Sequence, residues 1–374
     1  MIVGSSTIKG FQHSVKNKFF ESWGHIHITP FLSDPNHFAQ EEKVKRSDAL
    51  MEKLLQIEDV QSIAPYSVQS AVVKSKDEIN GLVLKGYSAQ EDFKQFENFL
   101  KEGRLLSFED SNYSKEILLS RTSAAELKVK KGDKLLLYFI DNNSQAPKVR
   151  KVNISGTYAT GLQEYDKNFA LCDQRLIDNI QQNGYPMIQG YEIFLKSTEN
   201  ADRIKKNIHV NYLEAPLYAF TIQERFENIF TWLDYMKTNE RILFIIMLIV
   251  AIMNMITGLL ILILERTRMV GTLKAMGMGH SKIIGIFLLA GLYILGVGLV
   301  IGNGVGLLLC WLQKQFGLIK MNPEIYYLEK APIRIEWANI LQINALTILS
   351  MLIVLIIPAL IVLWIKPVKA LKFN

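Results

Sequence analysis

Two histidines, His25 and His27, stand two apart in the run HIHIT, whose alternation predicts a strand with both imidazoles on one face. That spacing would suit two ligands of a metal, but a zinc-type site needs a third and fourth, and none stands nearby. A strand face partly open to solvent is the plainer reading. Acids pair at Glu109-Asp110 and in Glu164-Tyr165-Asp166, both in turn-like surroundings that read as solvated loops. GMGHSK, residues 277–282, has glycines and a lysine, but neither the GxxxxGK[ST] spacing nor the preceding strand of a phosphate-cradling loop. GxSxG and HExxH are absent. Cys172 and Cys310 lie in different surroundings and belong to no CxxC pair, so they read as small buried fillers. Nothing here assembles a catalytic site, a bound cofactor or a metal centre.

The elements that could position such residues differ sharply along the 374-residue chain. Residues 1–238 have ordinary charge density, whereas 242–365 are dominated by Ile, Leu, Val, Met and Gly. The net charge is only +6, with no Lys/Arg run interleaved with aromatics, which argues against nucleic acid as a partner. Residues 242–264, 283–312 and 340–365 are three uncharged apolar runs, each long enough to cross a bilayer. They contain no Asp, Glu, Lys, Arg or His, which disfavours a proton- or sodium-driven transporter.

Flanking charge sets the orientation. The 265–282 loop carries Arg266, Arg268, Lys274 and Lys282, and the 366–374 tail carries Lys366, Lys369 and Lys372, so both are placed in the cytoplasm. The 313–339 loop and the large N-terminal domain then lie outside. An exported domain of this size needs a signal or a preceding span, and MIVGSSTIKGFQHSVKNKFF is neither. Residues 1–24 are therefore read as the end of a first membrane helix and a connector.

Patterning makes residues 25–221 an α+β domain. A strand at 25–29, a helix over 42–56 and a strand at 67–74 form one β-α-β unit. A strand at 191–195, a helix over 200–209 and a strand at 217–221 form a second, which predicts a split β-α-β core. Residues 76–188 are then an inserted subdomain rich in strands, with its clearest signals at 116–120, in KLLLYFI and at 149–158. An amphipathic stalk helix over 222–241, with Ile222, Phe226, Ile229, Phe230 and Leu233 on one side, runs into the first span as a stiff lever.

Between the first two spans, ERTRMVGTLKAMGMGHSK predicts a short amphipathic helix stopped by Gly277 and Gly279. Val270, Leu273 and Met276 form an apolar edge among Glu265, Arg266, Arg268 and Lys274. Such a helix either rests in lipid headgroups or serves as a knob for a cytoplasmic partner that supplies energy. In the second span Gly298, Gly302 and Gly306 follow small-xxx-small spacing, which admits a close helix from this chain or from another subunit.

LILERTRMVGTLKAMGMGHSKIIGIFLLAG resembles the segment joining the second and third helices of lipoprotein-releasing permeases, the LolC/LolE group of the wider FtsX/MacB class of ABC permeases. YSKEILLSRTSAAELKVKKGDKLLLYFI and ISGTYATGLQEYDKNFALCDQRLIDNI resemble the extracytoplasmic domain of that group. IKMNPEIYYLEKAPIRI is similar to its last outer loop, and PALIVLWIKPVKALKF to its C-terminal signature. The resemblance implies four membrane helices, a bacterial inner-membrane location and a periplasmic domain. It also implies a pair of permease subunits, identical or homologous, bound to two ABC ATPase subunits that use the ATP. Glu265, Arg266, Arg268, Val270, Leu273, Lys274 and Met276 would then form the coupling helix. Closure of the ATPases would be transmitted mechanically to the outer domain, and a lipoprotein drawn from the membrane would pass to a periplasmic carrier.

In that group a hairpin hook catches the carrier. The matching turn here, DNNSQAPKV at 141–149, is short, and Asn142, Asn143, Gln145 and Pro147 stand as carrier contacts or as plain turn residues. Two alternatives stay open: a MacB-like efflux permease, and an FtsX-like signalling permease that activates a cell-wall hydrolase. The first usually carries its own ATPase domain, and the second usually has a smaller outer domain.

Overall fold

The structure is a computed structural model and describes residues 1–30, 43–88, 96–108, 112–139, 147–181, 187–198 and 200–361. It divides into two compact units. Ser14–Phe230 with Met321–Glu329 make an α+β unit; Met1–His13, Thr231–Lys320 and the chain from Lys330 make a helical one.

A helix, α1 (Ile2–Trp23), leads into strand β1 (Ile26–Pro30). The short β2 (Val44–Lys45), helix α2 (Asp48–Leu55) and the long β3 (Val60–Lys74) follow. Next come β4 (Ile79–Tyr87), β5 (Leu100–Gly103), β6 (Glu116–Ser120), α3 (Arg121–Glu126), β7 (Lys134–Phe139) and β8 (Lys148–Tyr158). After them stand α4 (Gln163–Asn168), β9 (Phe169–Asp173), α5 (Gln174–Gln181) and β10 (Met187–Ile188). The last elements before the apolar part are β11 (Gly190–Leu195), α6 (Ala201–Asn211), β12 (Leu217–Thr221) and the single turn α7 (Ile222–Arg225).

The main sheet runs β12-β1-β11-β3-β4-β9-β6-β8-β5, with β7 paired to β3 and β8. Strand β1 is antiparallel to both β12 and β11, and β11 is antiparallel to β3. Thus β1-α2-β3 is a β-α-β unit split by β11, and β11-α6-β12 is one split by β1, the core that the sequence patterning predicts. Its apolar layer joins Ile26, Ile28, Ile63 and Ile193 to Leu54 of α2 and to Ile204 and Ile208 of α6.

The inserted strands extend this sheet rather than forming a separate one. Strand β3 pairs with β11 through Val60–Tyr66 and with β4 from Tyr66 to Lys74, so the strand expected at 67–74 starts seven residues earlier. Leu84, Ile117, Leu119, Leu135, Leu137 and Val152 build a second core on the extension.

Local chemistry explains where the expected elements move. The helix read over 42–56 begins only at Asp48, because Ser47 Oγ accepts the Leu50 N–H (3.2 Å) and caps it. Val44 is instead in β2, opposite Ile188. The stalk helix breaks once: Thr221 and Glu224 form a capping box that starts α7, and Phe226 (φ −111°, ψ 43°) ends it.

From there α8 (Glu227–Glu265), α9 (Thr267–Ala275) and α10 (His280–Phe316) follow, then α11 (Pro323–Tyr326) in the α+β unit and α12 (Trp337–Ile361). Among the described residues three helices, α8, α10 and α12, are long and apolar enough to cross a membrane; α8 and α10 contain the runs read over 242–264 and 283–312, and α12 holds the run from 340 as far as Ile361. At their contact Gly291 of α10 meets Leu355 of α12 and Leu259 of α8. Asn303 and Asn344 exchange two side-chain hydrogen bonds, 3.3 and 3.2 Å, between α10 and α12.

Residues 1–24 hold the one helix α1, which pairs with the start of α8. In the helical unit Phe11 packs edge-on to Trp232, and Gln12 Nε2 donates to the Leu233 carbonyl (2.6 Å). In the α+β unit Phe19 and Phe20 pack on Phe230, and Phe19 and Trp23 on Phe226. The stalk that the sequence reading presents as a single helix is therefore paired with α1.

Candidate functional site

The loop read as a coupling helix is a tight hairpin between α8 and α10. Val270 is fully buried and packs with Ile263 of α8 and Ile283 and Phe287 of α10; Leu273 and Met278 border them. Gly277, at φ +84°, makes the left-handed turn that ends α9, and Gly279 is extended just before α10 begins. The three-residue spacing of Val270, Leu273 and Met276 drifts about 60° per step around a helix. Val270 therefore anchors the hairpin, Leu273 is half-buried, and Met276 is 78% exposed. Glu265, Arg266 and Arg268 are exposed and Lys274 is half-buried. The apolar edge is divided: its first residue faces this chain's own helices, and its last faces outward.

A cavity of about 560 Å³ lies in the helical unit among α1, α8 and α12. Its polarity changes the same way along all three helices. Arg241 of α8 gives way to Phe244 and Met247, Gln12 and Lys9 of α1 give way to Gly4, and Asn339 of α12 gives way to Ile343. Asn339 Nδ2 donates to Ser5 Oγ (2.6 Å), and Lys9 pairs with Glu336 (3.1 Å), tying α1 to the start of α12. A site polar at one end and apolar at the other suits an amphiphile with its headgroup at the charged end. The sequence reading did not find this cavity, because its walls come from three segments far apart in the chain.

The glycines divide in a similar way. A Cβ added at Gly306 would lie 3.5 Å from Ile2 Cβ of α1, whereas a Cβ added at Gly298 or Gly302 would meet nothing of this chain within 4 Å. The crowded glycine of this helix is Gly291, where a Cβ would fall 2.2 Å from Leu355 Cδ2. Gly291→Val is expected to destabilise the detergent-solubilised chain by about 1–3 kcal/mol in thermal melts, through overpacking. Gly298→Val should leave that melt unchanged.

Of the 141–149 turn, Asn142, Asn143 and Gln145 lie outside the described residues, as do Glu109 and Asp110; Pro147 stands just before β8. Asp166 is not a solvated turn residue. It is buried and accepts from Thr160 N (3.0 Å), Thr160 Oγ1 (2.7 Å) and Gly161 N (2.9 Å), which organises the loop before α4.

The histidines differ from a partly open strand face. His27 is fully buried, and His25 stacks on Phe20 (4.6 Å) while its Nδ1 accepts the Leu195 N–H (3.2 Å). Among the described residues no three His, Cys, Asp or Glu side chains are grouped to hold a metal ion. Burial lowers His25 to about 4; for His27 burial, then the nearby Arg225 and Lys85 charges, hold the imidazole neutral.

Folded-state values below the unfolded 6.5 mean that this stability is complete above pH 6.5 and drains away as pH falls toward 4. Each imidazole withdraws roughly 1.4 kcal/mol per pH unit in that window. Asp178, pushed up to about 6 by burial, gains a proton over the same window and offsets part of the loss. Melts of the purified chain at pH 6.5 and 5.0 are expected to show a net loss of about 2 kcal/mol.

Among its described residues the chain combines three helices long and apolar enough to cross a membrane, with a hairpin helix between the first two, and a split β-α-β domain. Residues 241–367 match the family model described as FtsX-like permease C-terminal, so the chain carries an FtsX-like permease domain. Over its whole length it is similar to the lipoprotein-releasing system transmembrane proteins LolC and LolE. It is 18% identical to LolC of Xylella fastidiosa (strain 9a5c), over 100% of this chain and 90% of the relative. For LolC of Neisseria meningitidis serogroup B the identity is 19%, over 100% and 91%. For LolE of Haemophilus influenzae it is 22%, over 96% and 87%. Among solved structures, the periplasmic region of MacB from Actinobacillus actinomycetemcomitans has a TM-score of 0.39 at 14% identity, covering 56% of this chain and 95% of that one. The extracellular domain of YknZ from Gram-positive bacteria has a TM-score of 0.38 at 12% identity, covering 52% and 99%.

Proposed function

We propose that this chain is a permease subunit of an ATP-driven ABC complex that extracts lipoproteins from the bacterial inner membrane and passes them to a periplasmic carrier. The observation that carries this reading is the end-to-end similarity to LolC and LolE, which spans the α+β domain as well as the membrane helices. The cavity among α1, α8 and α12 supports it, since a lipoprotein's anchor is apolar at its chains and polar at its head. In this reading ATP is bound and hydrolysed by two partner subunits, and the chain itself holds no nucleotide. The exposed side of the α9 hairpin, with Arg266, Arg268 and Met276, docks on the ATPase. Buried Val270 passes the ATPase's movement to α8 and α10, and the α1–α8 pair carries it to the periplasmic domain. Gly298 and Gly302, open in a single copy, offer a close-packing stripe to the second permease subunit.

The test is purification of the tagged chain from native membranes in mild detergent, with mass spectrometry of what is retained. A P-loop ATPase together with acylated lipoproteins or a soluble carrier is the expected result. An ATPase recovered with a peptidoglycan hydrolase would replace this reading with the signalling permease. Absence of any ATPase would remove the coupling role of α9.

A further inference from the structure

The α+β unit buries a group of charges that the reading above leaves unused. Lys85 of β4 is wholly buried, and its Nζ lies 2.5 Å from Oε1 of Glu192 on β11, itself wholly buried. Four aromatic rings surround this ammonium: Trp23, Tyr66, Tyr87 and Tyr165, with centroids 4.6, 5.5, 5.2 and 5.6 Å away. Tyr87 donates its hydroxyl to the other Glu192 oxygen (3.2 Å). On the far side, His27 of β1 has Nε2 3.7 Å from Glu192 Oε1 and also bonded to the Trp23 carbonyl. Its Nδ1 is 3.3 Å from Nη1 of Arg225 on α7, whose guanidinium lies over Trp23 and Phe220.

Stability alone is a poor reason for such a group. Taking two cations and a carboxylate out of water is costly, and apolar side chains of similar volume often hold a core equally well. The placement is more telling. Trp23 is the last residue of α1, and Arg225 ends α7, which Phe226 alone separates from α8. Helices α1 and α8 each run from one unit into the other. The charges therefore tie both helix ends to β1, β4 and β11 of the sheet. Apolar contacts are non-directional and can slide, whereas the Lys85–Glu192 bond locks β4 to β11, and directed contacts join it to the helix ends: Lys85 over the Trp23 ring, His27 to the Trp23 carbonyl, and Arg225 to His27.

We propose that Lys85, Glu192 and Arg225 form a charge-centred latch that makes the β-sheet follow α1 and α7, and that this latch couples the ATPase cycle to movement of the outer domain. The proposal rests on the permease reading above. These are positioning residues, and they touch no cargo.

The test compares four forms of the chain, each assembled with its ATPase and lipoprotein and normalised to complex recovered by gel filtration: wild type, Lys85→Met, Glu192→Leu and the triple variant Lys85→Met/Glu192→Leu/Arg225→Met. Each single variant leaves a buried charge uncompensated, and its melting temperature is expected to fall by about 10 °C. The triple variant removes all three charges and should melt close to wild type. Its ratio of lipoprotein released to ATP hydrolysed should nevertheless fall about tenfold, with ATPase turnover retained. A triple variant that is stable and couples like wild type would overturn the latch, and so would one no more stable than the single variants, since the charges would then serve the fold alone. A wild-type complex that hydrolyses ATP without releasing lipoprotein would overturn the permease reading and the latch together, and is distinguished by the wild type itself.

Discussion

Met276→Asp is expected to abolish retention of the ATPase while leaving the hairpin folded. Met276 is 78% exposed at the C-terminal cap of α9, so a carboxylate there costs the free chain only about 0.3–1 kcal/mol against the helix dipole. Docked against a partner, it must be desolvated next to apolar surface. A central apolar contact of this kind contributes about 2 kcal/mol, which corresponds to roughly thirtyfold in affinity. Val270→Asp makes the opposite control. It would bury a carboxylate among Ile263, Ile283 and Phe287, and should collapse the hairpin and lower the yield of folded chain. Leu273→Asp would mix both effects because Leu273 is half-buried. The measurement is ATPase co-purification alongside the melting temperature for each variant. Normal ATPase retention by Met276→Asp would remove α9 as the docking element.

The second large effect is expected from filling the cavity. Gly4 lies on its wall in α1, and a Cβ added there would meet nothing within 4 Å. Gly4→Trp therefore starts from an unhindered Cβ, places a bulky ring on the cavity wall, and replaces a poor helix former by a better one. Lipoprotein release should fall about tenfold or more, equivalent to roughly 1.4 kcal/mol, while basal ATP hydrolysis is unchanged. A photo-crosslinking residue at Phe244 should capture lipoprotein in the otherwise native chain and lose it in the Gly4→Trp background. Release at the wild-type rate in Gly4→Trp would show that the acyl chains travel elsewhere.

Much of the architecture was legible because its signals are local. The spans announce themselves by length and the absence of charge. Strand β6 and strands β7, β8, β11 and β12 fall within a residue or so of their alternating runs, and the β-α-β spacing was enough to place the split core. Patterning leaves out strands β4 and β9; β9 is five residues buried along its whole length, so it shows no alternation. Helix α2 is shorter than its apolar stripe, because Val44 fits that stripe equally well while the Ser47 cap starts the helix at Asp48.

The candidate sites were less legible. The sequence by itself determined that α9 is a short amphipathic helix between two spans, and that 298, 302 and 306 are small; periodicity and residue size are properties of one segment. Only the tertiary structure decided that Val270 faces inward and Met276 outward, and that Gly291 is the crowded glycine. It alone joined Lys85 to Glu192, 107 residues apart in the chain, and closed a cavity from α1, α8 and α12. Such contacts depend on which faces of distant elements the sheet and helices bring together, and no single segment encodes the face of its neighbour.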